Sequence, residues 1–265
     1  MSTFSKEHAN YIKKKKKKKH FIIAFQIIII LLFITIWQYL SYEGIINTFL
    51  FSSPLKVLKC IMRLFKSNDL LKHINITVYE TLLSFLLSNI IGIVFASLLW
   101  FNNTFYKICE PYLTILNSLP KVALGPLIII WVGASTNSII FMALMINSII
   151  SIINIYNAFA STDISFIYLM KSFKANNLQI YKKVILPSNI PSIINTFKIN
   201  ISMSLIGVIM GELLVSKKGV GYLIMYGSQV FNIDLVITSV FILGIISYIM
   251  YFIINYLEKK LTRTS

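Results

Sequence analysis

Charged residues are scarce in this sequence, and acidic residues are the scarcest of them. Only 13% of its 265 residues are charged, and nine of these are Asp or Glu. An ordinary soluble domain has about 25% charged and about 45–50% apolar residues, whereas 57% of this chain is hydrophobic and its mean hydropathy is +0.77. A water-soluble globule cannot bury that apolar surplus. The composition therefore excludes a soluble enzyme and predicts a membrane protein.

Reactive and metal-binding residues are also few. The two cysteines, Cys60 and Cys109, form no spaced cluster, and the three histidines are scattered, so neither a disulfide framework nor a metal site is indicated. No Gly-x-x-x-x-Gly-Lys-Ser/Thr phosphate loop occurs. We expect no catalytic residue, no metal and no cofactor. An intramembrane enzyme would need a group of His, Asp, Glu, Ser or Lys residues within the apolar runs, and none is visible. A membrane scaffold remains an alternative.

The basic residues give the chain a net charge of +16 and a pI of about 9.7. They lie between the apolar runs and at the chain ends, among them the lysine run 13–19, rather than on one face of a helix. No nucleic-acid recognition module accompanies them. We therefore expect contact with the lipid bilayer and its anionic headgroups, and no nucleic acid.

Long apolar runs predict six membrane spans, since about 20 apolar residues cross a hydrocarbon core of about 30 Å. The uncharged stretch 122–162 is too long for one helix, and turn-forming residues at 133–137 divide it. Pro120 and Pro126 predict an irregular start to the third span. The predicted spans are 21–40, 77–101, a third ending near Gly133, 138–157, 191–214 and 235–257.

Three polar segments separate these spans. Residues 52–71 have basic and apolar residues at helical spacing, which predicts an amphipathic helix on the membrane surface, with a polar loop as the alternative. Residues 161–187 are too few for a soluble domain, and 216–232 predict a loop. The distribution of lysines predicts that both termini and 161–187 are cytoplasmic. The domain organisation is then a basic tail (1–20), one transmembrane domain (21–258) and a C-terminal tail (259–265).

A few polar residues within the spans are candidate pathway or gate residues. Glu212 lies near the outer end of the fifth span, where an unpaired buried acid would cost several kcal/mol. It is either a gate residue or an interfacial carboxylate, with Lys217 or Lys218 as partner. We expect Glu80 to be interfacial and Lys198 to extend toward the headgroups. A polar stripe on the fourth span either lines a pathway or bonds to neighbouring helices; it contains Asn147, Ser151 and Asn154.

The segment 171–187 carries the most specific motif. It reads Lys-Ser-Phe-Lys-Ala-Asn-Asn-Leu-Gln-Ile-Tyr-Lys-Lys-Val-Ile-Leu-Pro. It resembles the EAA loop of permease subunits in bacterial ABC importers, which ends in an aliphatic-x-Leu-Pro signature. Further segments, in order along the chain, resemble the nitrate/sulfonate/taurine branch of that family: Ser53-Pro54, 119–127, 131–133, 207–212 and 219–224.

This resemblance implies an all-α integral membrane protein with six transmembrane helices and the MetI-like ABC permease fold. It implies a non-catalytic subunit of the bacterial inner membrane, forming a homodimer with two cytoplasmic ATP-binding subunits and an extracytoplasmic substrate-binding protein. The implied cargo is a small anion of the sulfonate, nitrate or taurine type. A thiamine-precursor pyrimidine is the alternative.

The resemblance also implies that 161–187 couples the permease to its ATPase. We expect Leu178, Ile180, Tyr181 and Ile185 to be apolar anchors in a groove of that partner. Lys174 stands where the family usually has glycine, and Tyr168 where it usually has an acid. With lysine in place of glycine, we expect the turn to be wider or to use a non-glycine conformation at some cost. The implied coupling residues are Ser172, Lys174, Ala175, Leu178, Tyr181, Val184, Leu186 and Pro187.

Overall fold

A computed structural model describes residues 6–261, and that part of the chain is helical without strands. The expected terminal tails lie partly outside this range, at 1–5 and 262–265. The first half contains α1 (Lys6–Tyr42), α2 (Thr48–Phe51), α3 (Pro54–Lys66), α4 (Asp69–Phe101), α5 (Asn103–Ser118), α6 (Gly125–Val132) and α7 (Thr136–Ala160). The second half contains α8 (Ile164–Ser172), α9 (Asn177–Ile180), α10 (Leu186–Ser188), α11 (Ile190–Val215), α12 (Val220–Gln229) and α13 (Ile233–Leu261).

Within residues 6–261, five helices (α1, α4, α7, α11 and α13) are long and apolar enough to cross a bilayer, which agrees with five of the predicted spans. The predicted third span is a broken one. Its two parts, Asn103–Ser118 and Lys121–Val132, meet at an angle of 85° and count as a sixth span when taken together. Pro120 lies at the break, where a 3₁₀ turn covers Lys121–Leu124, so the expected irregular start is confirmed.

Several predicted boundaries were wrong. Helix α4 begins at Asp69 rather than at Thr77, because the left-handed Asn68 (φ 56°) turns the chain directly into it. Helix α5 covers a segment in which the sequence predicted no span. Helix α12 lies inside the stretch 216–232 that was predicted to be a loop.

Helix α3 confirms the predicted amphipathic helix; its position on the membrane surface remains a prediction. Ser53 caps it by accepting a 3.3 Å hydrogen bond from the N–H of Lys56, and Pro54 occupies the first turn. Val57 and Cys60 are buried, whereas its other residues are partly or fully exposed.

Helices α4, α7 and α11 form the centre of the molecule. Small residues let them approach closely: a Cβ added at Gly92 of α4 would lie 2.0 Å from Oγ of Ser151 on α7. A Cβ added at Gly207 of α11 would lie 2.6 Å from Cα of Ala143 on α7. Such small residues are typical of helix contacts in membranes, where close backbone approach provides the packing energy.

The bundle has two distinct ends. Ala96, Phe159, Ile180, Ile185 and Ile193 form one apolar cluster, which places the segment 161–189 beside the last turns of α4 and α7 and the first turns of α11. We call this the loop end. The opposite end, where α4 begins and α11 finishes, is called the far end.

Candidate functional site

The segment at the loop end begins with a capped helix and a strained turn. Asp163 accepts a 2.9 Å hydrogen bond from the N–H of Ser165 at the start of α8, and this bond lowers the pKa of its carboxyl. After α8, Lys174 adopts φ 56°, in the left-handed region. The N–H of Ala175 donates to the carbonyl of Met170 at 3.0 Å, which closes the helix end. Lysine thus occupies a left-handed conformation that glycine adopts more easily.

The rest of the segment is a run of short helical turns. Asn176 and Gln179 form a reciprocal capping box at the start of α9, with hydrogen bonds of 2.8 and 2.9 Å. A π-helical turn over Tyr181–Ile185 then leads into α10. Val184 and Leu186 are half-buried, whereas Ser172 and Pro187 are exposed. The segment is therefore helical over most of its length.

Three of the four expected ATPase anchors face this chain instead. Ile180 and Ile185 are 1% and 0% exposed. Tyr181 is half-buried, its hydroxyl lies 2.6 Å from Oγ of Ser97, and its ring packs on Trp100. The prediction was wrong for Ile180 and Ile185, which are buried where the segment packs on α4 and α7. For the half-buried Tyr181 an additional contact with the ATPase stays a prediction.

Other apolar residues of the segment remain exposed. Phe173 is 74% and Leu178 is 51% exposed, and Ala175 is half-buried. Sequence periodicity did not single out Phe173, because the turn at Lys174 interrupts the helical register. The large exposed apolar residues of the segment, called the exposed loop residues below, are Ile164, Phe166, Tyr168, Leu169, Phe173 and Leu178.

At the far end, Glu212 holds the beginning of α12. Its side chain is 0% exposed, its Oε1 accepts a 2.6 Å hydrogen bond from the hydroxyl of Thr77, and its Oε2 accepts one of 2.6 Å from the N–H of Gly221. The Thr77 oxygen in turn accepts a 2.8 Å bond from the N–H of Val220. Neither Lys217 nor Lys218 forms an ion pair with Glu212 in the described part of the chain, so the expected lysine partner was wrong.

Two glycines make this contact feasible. Gly219 has φ 104°, and a Cβ added there would lie 2.2 Å from Oε1 of Glu212. A Cβ added at Gly221 would lie 2.8 Å from Oε2. The N–H of Gly219 donates to Nδ1 of His73 at 2.9 Å. The far-end latch, defined as Glu212, Thr77, His73 and residues 219–221, ties α4, α11 and α12 together.

Glu80 lies beside this latch and is 0% exposed, so its side chain is buried inside the protein. Its predicted position near the membrane interface stays a prediction. Its carboxyl interacts with the Glu212 carboxyl and the Thr136 hydroxyl, although neither of its oxygens makes a hydrogen bond of good geometry. A cavity of about 490 Å³ opens next to it. The polar residues lining this far-end cavity are Tyr79, Glu80, Ser135, Thr136, Ser216, Lys217 and Lys218.

The polar stripe of α7 joins helices. Asn147 is 0% exposed, and its amide donates 2.7 Å hydrogen bonds to Oγ of Ser88 on α4 and of Ser204 on α11. Ser151 is also 0% exposed and packs against Gly92. Asn147 therefore bonds to neighbouring helices, whereas the buried Oγ of Ser151 makes no hydrogen bond within the described residues, and a pathway role for either residue stays a prediction. Asn154 is half-buried, and its role in a pathway stays a prediction.

The basic residues within the spans have protein partners. Lys198 forms an ion pair with Glu258 near the end of α13, and its predicted position near the headgroups stays a prediction. Lys121, in the 3₁₀ turn, donates to the carbonyl of Asn117 at 2.9 Å. Within residues 6–261, no group of three or more His, Cys, Asp and Glu side chains is arranged to hold a metal ion.

Comparison with known proteins agrees with this architecture. Residues 88–263 match the family described as "binding-protein-dependent transport system inner membrane component". A probable ABC transporter permease protein of Haemophilus influenzae is 30% identical over 86% of this chain and 92% of its own length. A putative aliphatic sulfonates transport permease of Bacillus subtilis is 26% identical over 87% of this chain and 83% of its own.

Two further similarities concern cargo and fold. A formylaminopyrimidine transport permease of Halalkalibacterium halodurans is 25% identical over 87% of this chain and 92% of its own length. The inward-facing MetNI methionine ABC transporter has a chain of the same fold, with a TM-score of 0.64 and 19% identity over 75% of this chain and 97% of that one. This chain therefore belongs to the family of binding-protein-dependent transport system inner membrane components and is a non-catalytic, membrane-spanning ABC permease subunit whose ATPase is a separate protein.

Proposed function

We propose that this chain forms the translocation pathway of an ATP-driven importer for a small anion of the sulfonate, nitrate or taurine type. The main support for this proposal is the lining of the far-end cavity. Lys217 and Lys218 line it together with hydroxyl groups of Ser135, Thr136 and Ser216. Cations and hydroxyl donors around a cavity raise the local concentration of anions and can bond sulfonate or nitrate oxygens.

The names of the relatives support the same class of cargo and also supply the alternative. The Bacillus subtilis relative is named for aliphatic sulfonates, and the Halalkalibacterium halodurans relative for a formylaminopyrimidine. The two have nearly equal identity to this chain, so identity does not separate them. The two lysines in the far-end cavity favour the anion, since an uncharged pyrimidine gains little from a cationic lining.

The broken third span supports a homodimer. Irregular backbone at membrane depth is tolerated only where protein or a cavity surrounds it. Here the 3₁₀ turn at 121–124 joins α5, which buries none of its residues, to α6, on which Ile130 and Trp131 are 76% and 69% exposed. We infer that a second copy covers this face and that the pathway runs between the two copies.

The segment 161–189 is the proposed coupling element. It is helical and packs on α4 and α7 through Tyr181, Ile180 and Ile185. A displacement of this element is therefore transmitted to these two helices. The exposed loop residues provide apolar contacts for a groove on the ATP-binding subunit, and neighbouring lysines form the rim. ATP binding would move the two coupling elements together and open the far end to the substrate-binding protein. In this arrangement both termini are cytoplasmic, and the membrane is the bacterial inner membrane.

Reconstituted transport tests the proposal. The chain, its ATP-binding subunit and its substrate-binding protein in proteoliposomes should take up taurine or an alkanesulfonate when ATP is supplied. The double variant Lys217→Gln/Lys218→Gln should reduce this uptake severalfold, because the far-end cavity loses both cations. Lys56→Gln/Lys59→Gln on α3 removes the same charge outside that cavity and serves as the matched control. ATP-driven uptake of formylaminopyrimidine without uptake of any sulfonate or nitrate would contradict the anion assignment.

A further inference from the structure

Glu80 is a buried acid to which the proposed function assigns no role. It is 0% exposed, and both of its carboxylate oxygens lack a hydrogen bond of good geometry within the described residues. The ion pairs of that part of the chain join Lys72 to Asp69 and Lys198 to Glu258, so Glu80 is not among them. Burying a lone carboxylate without a counter-charge costs several kcal/mol. The surroundings of Glu80 must therefore supply one positive charge.

The polar groups beside it do not supply that charge. The Glu80 carboxyl interacts with the carboxyl of Glu212, itself 0% exposed, and with the hydroxyl of Thr136. Two neighbouring buried carboxylates repel each other strongly, and such pairs remain together by sharing a proton. Charge balance thus requires one proton for the pair.

The hydrogen bonds indicate which of the two acids carries it. Glu212 accepts from the Thr77 hydroxyl and from the N–H of Gly221, both at 2.6 Å, and donors of this kind stabilise the ionised form. Within residues 6–261 the hydroxyl beside Glu80 is that of Thr136, and it makes no hydrogen bond of good geometry with either carboxylate oxygen. A proton on Glu80 turns it into a donor, which can then bond to the Glu212 carboxylate.

We propose that Glu80 and Glu212 bind one proton between them, and that this proton holds α4 against α11 and the start of α12. Loss of the proton would place two negative charges at the far-end latch and loosen residues 216–221 from α4. The proposal does not depend on which solute is transported. It adds to the far-end cavity a neighbouring site whose ligand is a proton.

Other charged and titratable groups surround the pair. Helix α4 contributes Tyr79 and His73. The Nδ1 atom of His73 carries no proton, because it accepts a 2.9 Å hydrogen bond from the N–H of Gly219. Helix α12 contributes Tyr222, stacked on His73. The 216–219 connection contributes Lys217 and Lys218, which are exposed. These lysines are screened by solvent, so they do not replace a proton between two buried oxygens.

Infrared spectroscopy of the purified chain with its ATP-binding subunit detects the proton directly. Wild type at neutral pH should show the carbonyl stretch of a protonated carboxylic acid, and Glu80→Gln should lose it. Glu110→Gln, which removes an exposed acid bonded to Tyr106, should keep the band and is the matched control. A wild-type spectrum without this band, or a band that persists in both Glu80→Gln and Glu212→Gln, would overturn the proposal.

Thermal unfolding provides a second readout that does not depend on a single variant. The melting temperature of wild type should fall as the pH rises, because deprotonation adds a second buried negative charge. Glu80→Gln and Glu80→Arg should each flatten this dependence, the first by removing the charge and the second by replacing the proton with a fixed cation. An unchanged pH dependence in both variants would contradict the shared proton.

A sodium titration separates the proton from a metal cation. At constant pH and ionic strength, exchanging choline for sodium should leave the melting temperature of wild type unchanged. A rise with sodium that is absent in Glu80→Gln would show that a sodium ion neutralises the pair, and it would overturn the assignment of a proton.

Discussion

The backbone N–H of Gly221 donates a 2.6 Å hydrogen bond to Oε2 of Glu212, nine residues earlier in the chain. This bond folds the end of α11 back onto the start of α12, and the Thr77 hydroxyl attaches both to α4. Glu212 was expected to act as a gate residue or to lie at the interface. The structure gives it a position from which it holds together α4, α11 and α12, and the first two of these helices line part of the far-end cavity.

A substitution at Gly219 tests whether the far-end latch is closely packed. Gly219→Ala should lower the free energy of unfolding by about 2–3 kcal/mol, because alanine is strained at φ 104° and its Cβ would lie 2.2 Å from Oε1 of Glu212. Gly244→Ala is the matched control, since a Cβ there meets nothing within 4 Å. That control should be neutral or stabilising by up to about 1 kcal/mol. If denaturant unfolding gives the same change in the free energy of unfolding for both variants, Glu212 does not approach Gly219 as closely as described.

Lys174 tests the strained turn of the coupling segment. Lys174→Gly should raise the free energy of unfolding by about 1 kcal/mol, because glycine adopts the left-handed conformation without steric cost. Lys171→Gly, inside α8, should lower it by about the same amount. If the strain also weakens coupling, Lys174→Gly should raise transport-coupled ATP hydrolysis. A fall in coupled hydrolysis, despite the gain in stability, would show that the lysine itself contacts the ATPase.

Asn147 tests the polar contacts among α4, α7 and α11. Asn147→Ala removes hydrogen bonds to Ser88, Ser204 and the carbonyl of Asn200. At about 0.6 kcal/mol for each interhelical bond in a membrane protein, we expect a loss of roughly 2 kcal/mol in unfolding experiments. Asn157→Ala, on an exposed position of the same helix, should change stability by less than about 0.5 kcal/mol. A loss of transport with full stability would instead support the pathway role that the sequence left open.

The face formed by α5 and α6 tests the homodimer. In a background of Cys60→Ala and Cys109→Ala, a cysteine at Ile130 should form a disulfide between two copies under mild oxidation, because this face is proposed to meet its symmetry mate. A cysteine at Met62, 48% exposed on α3, is the control and should remain a free thiol. If neither Ile130→Cys nor Trp131→Cys forms a disulfide between two copies, although the complex still binds its ATPase, this face is not the dimer contact.

The sequence predicted the parts of the fold that depend on long apolar runs. Five spans and the break near Pro120 follow from hydrophobic length and from the absence of an N–H in proline. Helix α12 was missed because Gly219 and Gly221 suggested a loop, whereas they permit the close approach of Glu212 to a helix start. Composition alone does not distinguish those two uses of glycine.

The details of the sites required tertiary contacts. Thr77 and Glu212 are 135 positions apart, so no local pattern shows that they bond or that Glu80 lies beside them. In the coupling segment, Leu178 and Ile180 look equally apolar in the sequence, yet one is 51% and the other 1% exposed. Short turns of different helical type change the register within a few residues, and periodicity cannot then assign a face.

Crosslinking of the coupling segment to the ATP-binding subunit tests the central claim most directly. In the cysteine-free background, a cysteine at Phe173, which is 74% exposed, should crosslink to the ATPase, with a yield that changes between the nucleotide-free and ATP-bound states. A cysteine at Lys217, at the far end, should give no such product. Absence of a crosslink from Phe173, Leu178 and every other exposed position between 164 and 183, while the two proteins still purify together, would contradict the assignment of this segment as the coupling element.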